Sequence, residues 1–154
     1  MIVSITGGRG FIGKHLVDRY IKEGAKVRVL SRYRTLMQKG VESFTGDLSR
    51  PGIDFSGFVD GADILFHCAG EINDESLMRQ VHEGGTKQLV KYSIGKIGRW
   101  VQLSSVGAYK VSLSDVISEN SPEIPAGTYE QTKTEADLIV KNSGIPFVIL
   151  RPSS

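Results

Sequence analysis

The sequence has a single cysteine, no long apolar run and no marked excess of one charge. One thiol, Cys68, excludes an internal disulfide framework and suits a reducing compartment, so a cytoplasmic location is expected. The first apolar run, Met1 to Ile5, is five residues long and leads straight into glycines, which fits neither a signal peptide nor a membrane span. Nineteen Lys and Arg face seventeen Asp and Glu and are scattered along the chain, leaving a formal charge of +2 with no nucleic-acid footprint. Arg32 and Arg34 are the nearest thing to a basic cluster. Internal repeats and low-complexity tracts are absent too, and neither a metal site, nor a membrane, nor a nucleic acid is expected as partner. What is present is 154 residues, 40% of them hydrophobic, enough for one sizeable core and too few for two ordinary domains.

Short β-branched or apolar runs alternate with longer helical patterns, which predicts βαβ units around a parallel sheet: an α/β, doubly wound, three-layer fold. The expected strands are Ile2 to Ile5, Lys26 to Leu30, Glu42 to Thr45, Ile64 to His67, Trp100 to Leu103 and Phe147 to Leu150. Phe11 to Glu23 carries a 3.6-period apolar stripe that stops at Gly24, as a helix ending on glycine should. Ser76 to Lys96 and Tyr129 to Asn142 read as helices, and strands flanked by helices are expected to be buried on both faces. Val106 to Thr128, with Pro122, Pro125 and four serines, reads as a long irregular connection of the kind that usually carries function. The chain stops at Arg151-Pro152-Ser153-Ser154 directly after an apolar strand, which suggests a piece of a longer protein.

Thr6-Gly7-Gly8-Arg9-Gly10-Phe11-Ile12-Gly13 lies between the first strand and the first helix. In that context glycines allow a tight turn and a close backbone approach, and the helix N-terminus offers free N–H groups to a dinucleotide pyrophosphate. Two frames fit, Gly8-x-Gly10-x-x-Gly13 and Gly7-x-x-Gly10-x-x-Gly13. The second strand ends in Ser31-Arg32, where an acidic residue would bind the adenosine ribose of NAD. Ser31 and Arg32, helped by Arg9, suit a 2′-phosphate instead, so NADP is favoured over NAD. Cys68 reads as a packed strand-end residue rather than a reactive thiol.

Tyr129 and Lys133 lie four apart at the start of a helix, on one face. A neighbouring ammonium lowers a phenol's pKa, and a positioned phenol can exchange a proton with an alcohol or carbonyl. Ser104-Ser105 ends the fifth strand, and ligands in open α/β sheets bind at that end.

In this order the motifs resemble those of the short-chain dehydrogenase/reductase superfamily, in its extended branch of nucleotide-sugar epimerases, dehydratases and related reductases. The glycine turn looks like the extended-type cofactor turn, Gly46-Asp47-Leu48 like the adenine-contacting segment, and His67-Cys68-Ala69-Gly70 like the motif ending the fourth strand. Leu103 to Tyr109 resembles the catalytic serine segment, with Ser105 preferred over Ser104. Glu119-x-x-Pro122-x-x-Pro125-x-x-x-Tyr129-x-x-x-Lys133 resembles the stretch leading to the catalytic tyrosine and lysine. The resemblance implies that Tyr129 is the general acid/base, that Lys133 lowers its pKa and holds the nicotinamide ribose, and that Ser105 polarises the substrate oxygen. It places Gly7, Arg9, Gly10, Phe11, Ile12, Gly13, Ser31, Arg32, Asp47, Leu48, Cys68, Ala69 and Gly70 around the cofactor. It further implies a C-terminal substrate domain outside residues 1–154 and a nucleotide-sugar-like small-molecule substrate, and leaves a homodimer open. One departure is His82, where the family usually has asparagine. The alternatives are an NADPH-dependent reductase of steroid-like or flavonoid-like ketones and a non-catalytic, NADP-binding redox sensor.

Overall fold

The computed structural model describes residues 1–33, 38–109 and 116–153; Arg34 and residues 110–115 of the long connection lie outside them. All six expected strands form, as β1 (Ile2–Thr6), β2 (Lys26–Ser31), β3 (Val41–Thr45), β4 (Ile64–His67), β5 (Arg99–Leu103) and β6 (Phe147–Leu150). They make one parallel sheet in the order β3-β2-β1-β4-β5-β6. The chain winds outward from β1 to β3 and then restarts on the other side of β1, so the order reverses between β1 and β4. A crevice opens at the carboxyl ends of the strands at such a reversal. The register places Thr6 level with Leu30 and with His67, so the strand-end residues of interest share that edge.

Helix α1 (Phe11–Lys22) covers one face of the sheet, packing Val17 against Val3, Ile5, Val27 and Val29. It closes as its glycine predicts: Gly24 adopts φ +76, its N–H donates to the Ile21 carbonyl, and the Ala25 N–H donates to that of Tyr20. The opposite face holds the larger core, where Phe55, Phe58, Leu65, Leu89, Trp100 and Val140 meet beneath α2 (Ser56–Val59), α4 (Thr86–Ser93) and α5 (Thr128–Lys141). The expected burial on both faces holds at β1 and β2, whereas the edge strands β3 and β6 are largely exposed, with Phe147, Val148 and Leu150 open to solvent. Among the described residues no helix is long and apolar enough to cross a membrane.

The expected helix from Ser76 to Lys96 is corrected in two respects. It begins as α3 (Glu75–Arg79), capped by the Asp74 side chain, widens into a π-helical segment (Gln80–Gly85), and only then continues as α4. It stops at Ser93 because Ile94 leaves the helical conformation and Gly95 turns left-handed at φ +69. The wide turn re-aims the side chains, sending His82 towards α5 while Gly85 lies against Leu48. Such π segments concentrate at functional sites.

Candidate functional site

The glycine turn is a backbone-on-backbone contact. Gly7 takes φ +66, and a Cβ there would stand 2.8 Å from the Ala69 nitrogen. A Cβ on Gly13, in the first turn of α1, would fall 2.1 Å from the Gly7 carbonyl oxygen. The Gly10 N–H donates to that same carbonyl at 2.9 Å. Gly7, Gly10 and Gly13 thus set the turn, and Gly8 is excluded from carrying a side chain for a separate reason, since its Cβ would meet Val29 at 2.8 Å. The α1 N-terminus has no side-chain cap, so the orphan N–H groups of its first turn remain available to an anion. Such a cradle, open only to residues without a Cβ, fits a dinucleotide pyrophosphate.

A cleft of about 490 Å³ opens from this turn. Its walls include Gly7, Arg9 and Gly10 from the turn, Ser31 and Arg32 from β2, Asp47 and Leu48 after β3, and Cys68, Ala69 and Gly70 after β4. The sequence therefore identified most of the lining, but missed Leu30, Tyr33, Glu71 and Val81. Phe11, Ile12, Gly13 and Lys133 are not among the wall residues: Phe11 is 79% exposed, edge-on to His15 and beneath the Lys14 ammonium. Asp47 accepts from the Ser49 amide and hydroxyl; burial would raise its pKa, but these bonds together with Arg50 and Arg32 bring it below the usual carboxylate value. Burial pushes the Cys68 thiol up to about 11, which leaves it protonated near neutrality.

The groups expected to react sit at the mouth of β5 and along α5. Ser105 caps a short 3₁₀ turn (Val106–Ala108), accepting from the Gly107 N–H at 3.1 Å, and Gly107 packs against the Glu130 side chain. The 105–107 turn is thereby held against the first turn of α5. Ser104 faces inward, its hydroxyl donating to Asp137 at 2.6 Å. Tyr129 and Lys133 share a face of α5, yet their environments differ from the expectation of a lowered phenol pKa. Burial, and then the Glu130 carboxylate, push Tyr129 above the ordinary phenol value. Lys133 is buried with its ammonium donating to the Leu103 carbonyl; burial pushes its pKa down, against the pull of Asp137 and Cys68.

Two buried networks support this edge. His67 joins Thr6 through Nδ1 (2.8 Å) and Thr86 through Nε2 (3.0 Å), while Thr6 Oγ1 also accepts the Ala69 N–H. The Ala69 amide under Gly7 is thus anchored to the centre of the sheet. Burial, then the charge of Lys133, then His82 hold His67 down to about 3, so it is neutral. In the second network Asp137 accepts from Ser104 and from Arg151 Nη2 at 3.0 Å, and Arg151 also reaches Glu123 and covers the Tyr109 ring. Asp137 lies one turn beyond Lys133, a spacing that was readable, but charged residues at that spacing read as a solvated face. Among the described residues no group of three His, Cys, Asp or Glu side chains is placed to hold a metal ion.

The sequence profile of the NAD dependent epimerase/dehydratase family matches residues 3–154. The chain belongs to this family. Its relatives include the ceramide reductase of Caulobacter vibrioides, 32% identical over 123 residues that cover 74% of this chain and 38% of that protein. The UDP-glucose 4-epimerase of Streptococcus mutans is 26% identical over 98% of this chain and 51% of its own length. Among solved structures, the Bordetella bronchiseptica enzyme WbmG in complex with NAD superposes with a TM-score of 0.87 at 21% identity, over 98% of this chain and 52% of that one. At that identity the likeness shows the fold, the same three-layer αβα arrangement. The chain spans about half the length, or less, of these proteins.

Proposed function

We propose that residues 1–154 are the cofactor-holding and proton-handling part of an NADP(H)-dependent enzyme of this family. It acts at a hydroxyl or carbonyl carbon of a nucleotide-sugar-like substrate as epimerase, dehydratase or reductase. The observation that carries the cofactor choice is the end of β2: Ser31 and Arg32, with Arg9 from the turn, line one cleft with the pyrophosphate cradle, where the NAD-type site would need a carboxylate. An arginine pair flanked by a hydroxyl recognises a 2′-phosphate through charge-assisted bonds. In this reading the turn from Gly7 to Gly13 and the first-turn amides of Phe11 and Ile12 hold the pyrophosphate, Asp47 and Leu48 the adenine, and Cys68 to Gly70 the floor. The substrate-selecting domain is a separate one.

The bound nicotinamide supplies hydride transfer. The chain's own residues handle the proton. Tyr129, kept protonated at neutral pH by burial and Glu130, is poised to give its proton to a carbonyl oxygen. Lys133, whose ammonium donates to the Leu103 carbonyl, in this reading stabilises the phenolate left behind and holds the nicotinamide ribose. Ser105 polarises the substrate oxygen, since Ser104 is already committed to Asp137. An NADP-type cleft favours a second reading in the direction of net reduction: a ketone reductase acting on steroid-like or flavonoid-like substrates. The ceramide reductase likeness supports the reducing direction.

In the full-length protein Tyr129→Phe is expected to lower turnover by about 10²-fold or more. Turnover equal to the parent would remove the catalytic assignment of Tyr129, whereas a parent protein that binds NADPH without turnover would point to a non-catalytic cofactor sensor. NADPH should bind this chain more tightly than NADH, with Arg32→Ala weakening NADPH several-fold. Equal affinities would defeat the phosphate argument.

A further inference from the structure

His82 is buried, yet both of its ring nitrogens are spent on different parts of the site. Nε2 accepts the Glu71 N–H at 2.9 Å, on the loop that follows Gly70 along the cleft wall. Nδ1 lies 2.8 Å from Thr132 Oγ1, on the turn of α5 between Tyr129 and Lys133. Thr132 in turn has the Thr128 and Tyr129 carbonyls at 2.9 and 3.1 Å to receive its hydroxyl proton, so its lone pair is left to accept from His82. The bonding therefore specifies one tautomer, neutral with the proton on Nδ1. The ring also stands edge-on to the Tyr129 ring, with centroids 5.5 Å apart at 84°. Gly70 leaves room for it, because a Cβ there would come 3.3 Å from Nε2.

We infer that His82 is a positioning residue: its ring is a crosspiece that ties the cleft loop at Gly70–Glu71 to the helix carrying Tyr129 and Lys133, so that the seat of the cofactor and the reacting phenol form one rigid frame. The inference rests on the proposed roles of Tyr129 and Lys133. The π-helical segment has a purpose in this arrangement, since it lets His82 reach α5 while Thr86, four residues on, reaches His67. Protonation would place a second N–H against the Glu71 N–H. Burial and the Lys133 charge oppose it as well, and only the Glu71 carboxylate favours it; the ring stays neutral down to about pH 4.

The test uses this chain with NADPH as the probe. ¹⁵N NMR of the histidine ring, assigned through His82→Phe, should show the Nδ1–H neutral tautomer at pH 7. NADPH titration should give about fivefold weaker binding for His82→Phe, the scale of one lost hydrogen bond, and a smaller loss for Thr132→Val. The double variant should bind no more weakly than His82→Phe alone, because Thr132 acts through the ring. His82→Gln, which keeps a donor and an acceptor, should recover part of the loss. An Nε2–H tautomer, unchanged NADPH affinity in folded Thr132→Val, or additive effects in the double variant would overturn the inference. Thr132→Val decides the matter if His82→Phe does not fold. A Tyr129→Phe protein that still turned over would instead remove the catalytic reading and leave these binding results untouched.

Discussion

Gly13→Ala puts the glycine turn under direct strain. The added Cβ would lie 2.1 Å from the Gly7 oxygen, 2.7 Å from the Gly7 carbonyl carbon and 2.8 Å from Gly8 Cα. All three are backbone atoms, so no side chain can rotate away, and the contact has to open by about an ångström to reach ordinary packing distance. Lifting the turn strains the Gly10 N–H bond to the Gly7 carbonyl; tilting α1 instead pulls Val17 from its packing on β1 and β2. Overpacking of this kind costs about 1–3 kcal/mol. A turn displaced by that distance no longer presents its amides where the pyrophosphate lies, so NADPH affinity should fall at least tenfold, about 1.4 kcal/mol. Gly24→Ala provides the control: φ is +76 with nothing within 4 Å, so it should lose about 1 kcal/mol of stability to backbone strain and bind NADPH as the parent does. Urea unfolding and NADPH fluorescence titration measure both quantities. If Gly13→Ala lost no more stability than Gly24→Ala and bound NADPH normally, the turn would not be the pyrophosphate seat.

Acid should destabilise the fold earlier than its carboxylates alone would dictate. His67 and His82 are held down to about 3 and about 4, against 6.5 when unfolded, so the unfolded chain binds more protons and stability falls as pH drops below about 6.5. The slope should reach on the order of 1 kcal/mol per pH unit per histidine, and a flat urea-unfolding stability between pH 6.5 and 5 would contradict it. Asp137→Ala should cost about 3 kcal/mol in the same assay, because it strips a buried acceptor from Ser104 and Arg151; a loss under 1 kcal/mol would show that Glu123 alone satisfies Arg151. Cys68, with its thiol pushed up to about 11, should resist iodoacetamide at pH 7.5 and react progressively as pH rises; rapid alkylation at neutral pH would refute its burial.

The strands and the glycine turn were legible in the sequence because their constraints act on residue identity. Only a residue without a Cβ fits at Gly7 or Gly13, and a parallel sheet covered by helices needs β-branched runs such as those of β1 and β2. The π-helical segment was not legible, because what it accommodates is remote: His82 is placed by Thr132, fifty residues on, and Thr86 by His67. Nor did local pattern reveal the polarity of the core. The buried positions of α5 are Thr132, Lys133, Ala136, Asp137 and Val140, a helical stripe in which two members are charged. A stripe of that kind reads as a broken apolar face, yet it is where local preference gives way to a site.

The same departure from core patterning locates the site without reference to the glycines. Buried polar side chains cost stability unless each finds a partner, so a fold retains them where they do something an apolar residue cannot. Here Ser4, Arg28 and Ser93 lie elsewhere, but Thr6, His67, His82, Thr86, Gln102, Ser104, Thr132, Lys133 and Asp137 are all buried at the carboxyl ends of β1, β4 and β5 or on the helices packed against them. Among the described residues, their hydrogen bonds leave one oxygen of Asp137 and the Gln102 amide nitrogen unpartnered. The Asp137 charge pulls the Lys133 pKa up, but burial outweighs it and pushes it down. A buried lysine and a half-satisfied carboxylate one turn apart, on the helix that also carries Tyr129, have little to offer the stability of the fold and much to offer proton transfer. That physical argument supports the catalytic reading of Tyr129 and Lys133 independently of the spacing that first singled them out.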